Sequence, residues 1–327
     1  MNPSHTLPRI TVLLAEDEPD LPGLEALADQ AQVRQVRQRA EVSDALADTD
    51  ILVVTDFRTD LLTEVWPDPC PIQWIHATSA GVDALMIEPI RNSDIIVTNA
   101  RGIFDRGIAE YVLGALLLFA KDTLGNLHHQ RQQRWQHRET RLLKEQQALI
   151  VGAGSIGREV AGLLGAMGMT VIGTARHARN DPAFRRVHRQ ADLPALLGDA
   201  DYVIITAPLT PDTQGLFDDA MFRRLKPGAV LVNVGRGAIV QTDALVKALN
   251  NDRLAGAALD VFEEEPLPQG HPLWAHPKVM MSAHMAGDFI GWRRALGDQF
   301  VSQFQRWRRD QPLLNPVDKH SGYVSNA

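Results

Sequence analysis

The apolar positions of this 327-residue chain fall into short, dense runs separated by longer stretches of helical spacing. "ITVLL" (10–14), "ILVV" (51–54), "IQWIHA" (72–77) and "DIIVTNA" (94–100) form a first series. A second follows: "ALIV" (148–151), "TVIG" (170–173), "YVIIT" (202–206), "AVLVNV" (229–234), "LAGAALDV" (254–261) and "KVMMSA" (278–283). Runs apolar on both faces and joined by crossovers suit parallel strands covered by helices on each side. The 3.6-residue period predicts helices over 107–121, 155–167 and 288–307. The second series has about the strand number of a complete doubly wound domain. The pattern therefore predicts an α/β protein with two doubly wound parallel-sheet domains.

Composition narrows the class. A chain of this length is long for one core and suits two domains. With 45% hydrophobic and 22% charged residues it has an ordinary globular make-up. A net charge of −7 argues against a nucleic-acid partner, which needs a basic footprint. Cys70 is the only cysteine, so neither a disulfide nor a cysteine-rich metal site is expected. The opening "MNPSHTLPRITVLL" lacks a charged region followed by a long apolar run, and "YVLGALLLFA" is too short to span a bilayer. The expectation is a cytoplasmic protein with no membrane partner.

The segment 124–147, "LGNLHHQRQQRWQHRETRLLKEQQ", contrasts with its surroundings. His128, His129 and His137 lie close together, but the only acids are Glu139 and Glu145, near the end, and there is no cysteine. It reads as a solvated arm rather than a metal site, with Leu127 and Trp135 available to a partner subunit.

"ALIVGAGSIG" carries Gly152, Gly154 and Gly157 in the spacing G-x-G-x-x-G, directly after a strand and opening a helix. The first glycine permits the tight turn, the second the approach of a pyrophosphate, and the third close helix–strand packing. The helix N-terminus favours the phosphate charge. About 20 residues on, NAD-preferring sites place an acid that accepts from the ribose hydroxyls. Here Ala175 stands there, followed by Arg176, His177 and Arg179. Their positive charge suits a 2′-phosphate, which favours NADP, with NAD still possible. The alternative is that these are solvated cations and Thr174 alone holds the ribose.

Three later stretches end strands of the same domain: "NVGRGAIV" with Arg236, "ALDVFEEEPLP" with Asp260 and Glu265, and "SAHMAGD" with His284. Open α/β sheets bind ligands at those strand ends. A guanidinium can pair with a substrate carboxylate and polarise a keto oxygen. An imidazole can protonate that oxygen, and a neighbouring carboxylate favours its charged form and fixes its tautomer. Taken singly, Arg236 reads rather as a surface cation, Glu265 as a turn residue and His284 as a loop histidine.

Together with "ATSAGVDAL", "VTNARGIFDRGIAEYVLGALLL", "LTPDTQGLFD" and "LKPGAVLVNVGRGAIVQTDALVKAL", these motifs resemble the D-isomer-specific 2-hydroxyacid dehydrogenase family over nearly the whole chain. The tail "NPVDKHSGY" is similar to members near its glyoxylate/hydroxypyruvate reductase branch. The resemblance implies a Rossmann cofactor domain, 104–287, inserted in a flavodoxin-like substrate domain, 1–103 with 288–327, and an active site in the cleft. It implies roles for Arg236 (substrate orientation), His284 (acid/base) and Glu265 (its partner). Asp260, with the backbone of Val234 and Gly235, would face the nicotinamide carboxamide. Ser155 and Ile156 would meet the pyrophosphate, and Ala207, Pro208 and Thr213 the adenosine half. Backbone amides of Ala80 and Gly81 would hold the substrate carboxylate, and Phe57 and Arg58 would line its side-chain pocket. Arg58 reads either as a partner for a second anionic group or as solvent-facing. The family also implies a homodimer through the arm 124–147. One departure is Ala283 before the histidine, where members commonly carry proline. The expected function is hydride transfer between a nicotinamide cofactor and a 2-keto/D-2-hydroxy acid pair. Alternatives on the same scaffold are a dehydrogenase of a phosphorylated or inorganic substrate and a nucleotide-sensing corepressor.

Overall fold

The computed structural model describes residues 7–55 and 60–324, so Phe57 and Arg58 lie outside the described residues. Two compact units emerge: one holds the chain up to Ile103 together with the segment from Phe289 onward, the other Phe104–Asp288.

The first unit has strands β1 (Arg9–Leu13), β2 (Gln32–Val36), β3 (Ile51–Val54), β4 (Trp74–Ala77) and β5 (Ile96–Asn99). They pair in parallel in the order β2-β1-β3-β4-β5, the flavodoxin-like doubly wound order. β3 and β4 are buried at every position, as runs apolar on both faces require. The helix Trp292–Trp307 belongs to this unit and buries Phe300 and Phe304. Its spacing extends back to Asp288 in the sequence, but Gly291 (φ 92°) makes a left-handed entry and the helix starts at Trp292.

The second unit has β6 (Gln147–Val151), β7 (Thr170–Ala175), β8 (Arg186–Arg189), β9 (Tyr202–Ile205), β10 (Ala229–Asn233), β11 (Leu254–Leu259) and β12 (Val279–Met281). The sheet order β12-β11-β10-β9-β6-β7-β8 is the dinucleotide-binding order with one further strand. An apolar cluster fills each face. One includes Ile108, Val112 and Leu116 of the helix Asp105–Ala120 and Val160 and Leu164 of the helix Ser155–Ala166. The other includes Met221, Phe222, Leu245 and Leu249 from the helices Asp219–Arg224 and Thr242–Asn250.

The expected α/β architecture with two parallel sheets is present, and two strands are additional to the apolar runs. β2 ("QVRQV") and β8 ("RVHR") are edge strands, half open to water, and so carry polar side chains that hide them from a search for buried runs. The arm also begins with more order than its polarity suggests. Thr123–Arg131 is a helix capped by Asp122, whose side chain accepts from the Gly125 amide at 3.1 Å. Beyond it Trp135 is fully exposed, and Leu127 and Leu142 are exposed as well. No helix among the described residues is long and apolar enough to cross a membrane.

Candidate active site

Most candidates of the second unit follow the end of a parallel strand. The glycine turn follows β6, and Ala175 and Arg176 lie at the end of β7. Ala207 and Pro208 follow β9, Val234 to Arg236 follow β10, Asp260 follows β11, and His284 follows β12. The chain direction of a parallel sheet puts these ends on one edge.

The three glycines behave differently. Gly152 has φ 109°, and a Cβ there would meet the Ala207 amide nitrogen at 2.6 Å. A Cβ on Gly157 would meet the Gly152 carbonyl at 2.3 Å. A Cβ on Gly154 would meet nothing within 4 Å: the space beside it is open, at the N-terminus of the 12-residue helix Ser155–Ala166. Two glycines are therefore needed by the protein itself, and the third leaves room for an anionic group against the helix end. The Gly152 and Ala153 amides both donate to the Thr174 carbonyl, at 3.1 and 2.8 Å, which stitches the turn to β7. Thr206 Oγ1 donates to the Gly152 carbonyl at 2.7 Å. Ser155 Oγ donates to Asp105. Thr213 Oγ1 donates to the Pro208 carbonyl at 2.7 Å and accepts from the Thr210 amide at 2.8 Å, shaping the loop after β9. Ile156 is partly buried against the core.

Thr174 lies next to last in β7. It is completely buried, and its hydroxyl has no hydrogen-bond partner among the described residues. Its carbonyl holds the turn.

At the other end of the site, His284 Nδ1 lies 2.7 Å from Glu265 Oε2. Glu265 Oε1 accepts from the Phe262 amide at 2.8 Å. Partial burial pushes the Glu265 carboxyl up, but bonds from His284 and the Phe262 amide, with the charges of His284 and Arg236, hold it below the ordinary range. An ionised Glu265 only accepts, so Nδ1 carries hydrogen and proton exchange is confined to Nε2. His284 itself has φ 52°, a left-handed backbone unusual for a residue with a side chain. Its amide donates to the Asp260 carbonyl at 2.8 Å.

Asp260 is 2% exposed and fully engaged. Oδ1 accepts from Ser282 Oγ at 2.6 Å and the Met285 amide at 2.8 Å, and Oδ2 from the Ala286 amide at 2.9 Å. Tyr111 in turn donates to Ser282 Oγ at 2.5 Å. This network ties down the His284 loop, where Ala283 supplies no proline ring. The Arg236 turn is tied in the same manner. Asn233 Oδ1 accepts from the Gly235 amide at 3.1 Å, Asn233 Nδ2 donates to the Arg236 carbonyl at 3.0 Å, and Arg236 Nη1 donates to the Gly235 carbonyl at 2.9 Å. Val234 is buried beside it. Asn233, Ser282 and Tyr111 were not singled out in the sequence. The available signal was a polar residue interrupting an apolar run, in "VLVNV", "MMSA" and "EYVLGALLL".

Residues 113–286 match the family described as D-isomer specific 2-hydroxyacid dehydrogenase, NAD binding domain. The chain belongs to this family. It is accordingly an NAD(P)-dependent oxidoreductase of the hydroxyacid dehydrogenase class. Among its relatives is a glyoxylate/hydroxypyruvate reductase A from Yersinia enterocolitica, 30% identical over 77% of this chain and 82% of that protein. Two solved structures share the fold over nearly their whole length. An NADPH-dependent glyoxylate/hydroxypyruvate reductase from Sinorhizobium meliloti, in complex with NADP and sulfate, has a TM-score of 0.86 at 28% identity, covering 97% of this chain and 100% of that one. A D-isomer specific 2-hydroxyacid dehydrogenase from Xanthobacter autotrophicus, in complex with NADPH and MES, has a TM-score of 0.82 at 28% identity, covering 96% and 99%.

In this dehydrogenase the first unit carries the remaining candidates. The Ala80 carbonyl accepts from Asn99 Nδ2 at 2.6 Å and the Gly81 carbonyl from Ser79 Oγ at 2.6 Å, which fixes the loop after β4.

Proposed function

We propose that this family member is a 2-keto acid reductase that prefers NADPH, with the cofactor held by Phe104–Asp288. The contact between His284 Nδ1 and Glu265 Oε2, 2.7 Å long at the strand-end edge, is the observation that carries the reading. When bound, the nicotinamide supplies the hydride for the carbonyl carbon. His284 holds a proton on Nε2 and delivers it to the carbonyl oxygen, while Glu265 keeps the ring oriented. Arg236 pairs its planar fork with the substrate carboxylate and polarises the carbonyl. In the first unit, the backbone amides of Ala80 and Gly81 are the candidates for carboxylate binding. Asp260, locked by four hydrogen bonds to the loop around His284 and to Ser282 counting its own carbonyl, fixes that loop beside the carboxamide position.

The NADPH preference rests on Ala175. A carboxylate there would repel a 2′-phosphate, and Arg176 and Arg179 follow instead. The relatives and neighbours named for glyoxylate and hydroxypyruvate favour small 2-keto acids as substrates. Exposed Trp135, Leu127 and Leu142 support a homodimer in which each arm covers its neighbour.

The test is oxidation of NADPH and NADH with a panel of 2-keto acids. The expected result is turnover of small 2-keto acids with the higher kcat/KM for NADPH. No turnover with any member, alongside tight nucleotide binding, would overturn the enzymatic reading. A preference for NADH would overturn the cofactor reading alone.

A further inference from the structure

The loop after β7 contains a carboxylate that the reaction does not use. Asp181 is buried, its side chain 2% exposed, yet it faces two guanidinium groups. Arg158 Nε, from the first turns of the helix Ser155–Ala166, donates to its Oδ2 at 2.7 Å. Arg179 Nε lies 3.6 Å from the same oxygen. The other oxygen, Oδ1, accepts from the Ala183 amide at 3.2 Å, so the carboxylate is oriented by its own turn.

Arg179 is pinned at both ends. Its backbone pairs with Val187 of β8, N–H to carbonyl at 3.1 Å and carbonyl from N–H at 3.3 Å. Its Nη2 donates to the Ala153 carbonyl, inside the glycine turn. The guanidinium therefore spans from the Asp181 carboxylate to the pyrophosphate-binding turn, next to the end of β7. The ribose of a dinucleotide seated on this turn lies at that strand end.

The charge balance shows what a purely structural pair would not require. One guanidinium would neutralise Asp181; two leave an excess positive charge beside the glycine turn. A preorganised guanidinium loses less freedom when it binds phosphate, which raises affinity without a new contact. We infer that Asp181 is a positioning residue for cofactor selection: it presents Arg179, supported by Arg158, to the adenosine 2′-phosphate. Arg179 is then a fixed phosphate ligand, complementing the exposed Arg176 farther along the strand end. This inference rests on the NADPH reading above and adds the residue that holds its ligand in place.

The experiment compares kcat and KM for NADPH and NADH in the wild type, Asp181→Asn, Arg179→Ala and the double variant. Arg179→Ala lowers the NADPH-to-NADH ratio of kcat/KM by roughly 10-fold or more, the loss of a charge-assisted hydrogen bond to phosphate. Asp181→Asn lowers it by about three- to tenfold, in the KM for NADPH rather than in kcat, and adds little once Arg179 is gone. An unchanged ratio in Arg179→Ala overturns the inference, and that arm stands even if Asp181→Asn does not fold. A folded Asp181→Asn in which KM rises equally for both cofactors overturns it too, because a merely structural carboxylate would act that way. If the wild type prefers NADH, the cofactor reading and the inference fall together. If it prefers NADPH and the variants keep that preference, the inference alone falls.

Discussion

At His284 a left-handed backbone, φ 52°, is held by one amide bond to Asp260 and by the 2.7 Å contact with Glu265. Side chains tolerate that conformation only where the surroundings impose it, and such residues concentrate at functional sites. If the imidazole delivers the proton, His284→Ala lowers kcat by about 10²–10⁴-fold and leaves the dissociation constant for NADPH nearly unchanged. Stopped-flow reduction and fluorescence titration separate the two; near-normal turnover refutes the role. Glu265 tests the electrostatics. Its folded-state carboxyl titrates below its ordinary value, so the pair's stabilisation is present above that value and fades as pH falls through the depressed one. Across neutral pH Glu265 stays charged and accepts from Nδ1, which fixes the ring. Glu265→Gln therefore lowers kcat for reduction while leaving the dissociation constant for NADPH nearly unchanged, read by the same two measurements. A kcat that does not fall means that the carboxylate is dispensable.

The strand–turn–helix unit, β6 with the helix Ser155–Ala166, separates binding from folding within one motif. Gly154→Ala places a methyl in open space, so melting of the free protein changes little while dinucleotide affinity falls by roughly tenfold. Gly157→Ala drives a methyl into the Gly152 carbonyl, 2.3 Å away, and destabilises the protein by about 1–3 kcal/mol. Urea unfolding and cofactor titration on both variants check the contrast; equal losses of stability would contradict it. The β4–β5 pair makes a second test. His76 is fully buried, its ring 5.5 Å from that of Phe300, with Nδ1 against Thr98 Oγ1 at 2.9 Å. Burial pushes it down from 6.5 to about 3. Between those values the unfolded chain binds a proton that the native state refuses, so stability falls as pH falls. From pH 6.5 to 5 the loss is about 2 kcal/mol. Urea midpoints at the two pH values give it by comparison with His76→Gln, whose dependence is flatter; parallel curves would refute the assignment.

For the molecule as a whole, the arm is the part whose surface does not suit isolation in water. Trp135 and Leu127 are exposed on a segment otherwise rich in Gln, Arg and His. A homodimer that covers them predicts a dimer mass in light scattering at micromolar concentration. It also predicts that Trp135→Ala weakens the association, because aromatic anchors dominate interface energetics. A monomer mass for the wild type would refute it.

Local chemistry and spacing specify part of this protein. Runs such as "ILVV" and "AVLVNV" need cover on both faces and so specify parallel strands, and G-x-G-x-x-G after a strand specifies the phosphate turn. Arg236, Glu265 and His284 were legible because each follows such a run in a motif with its own spacing. The edge strands β2 and β8 were not, since a strand with one open side need not be apolar. Nor was the burial of Thr174, next to last in β7, which depends on what packs over that strand. Asp181 reads as an ordinary loop acid. Arg179 stands two residues before it in the same loop, but Arg158, 23 residues earlier on the helix, reaches its carboxylate only because the crossover from β6 to β7 folds back on itself.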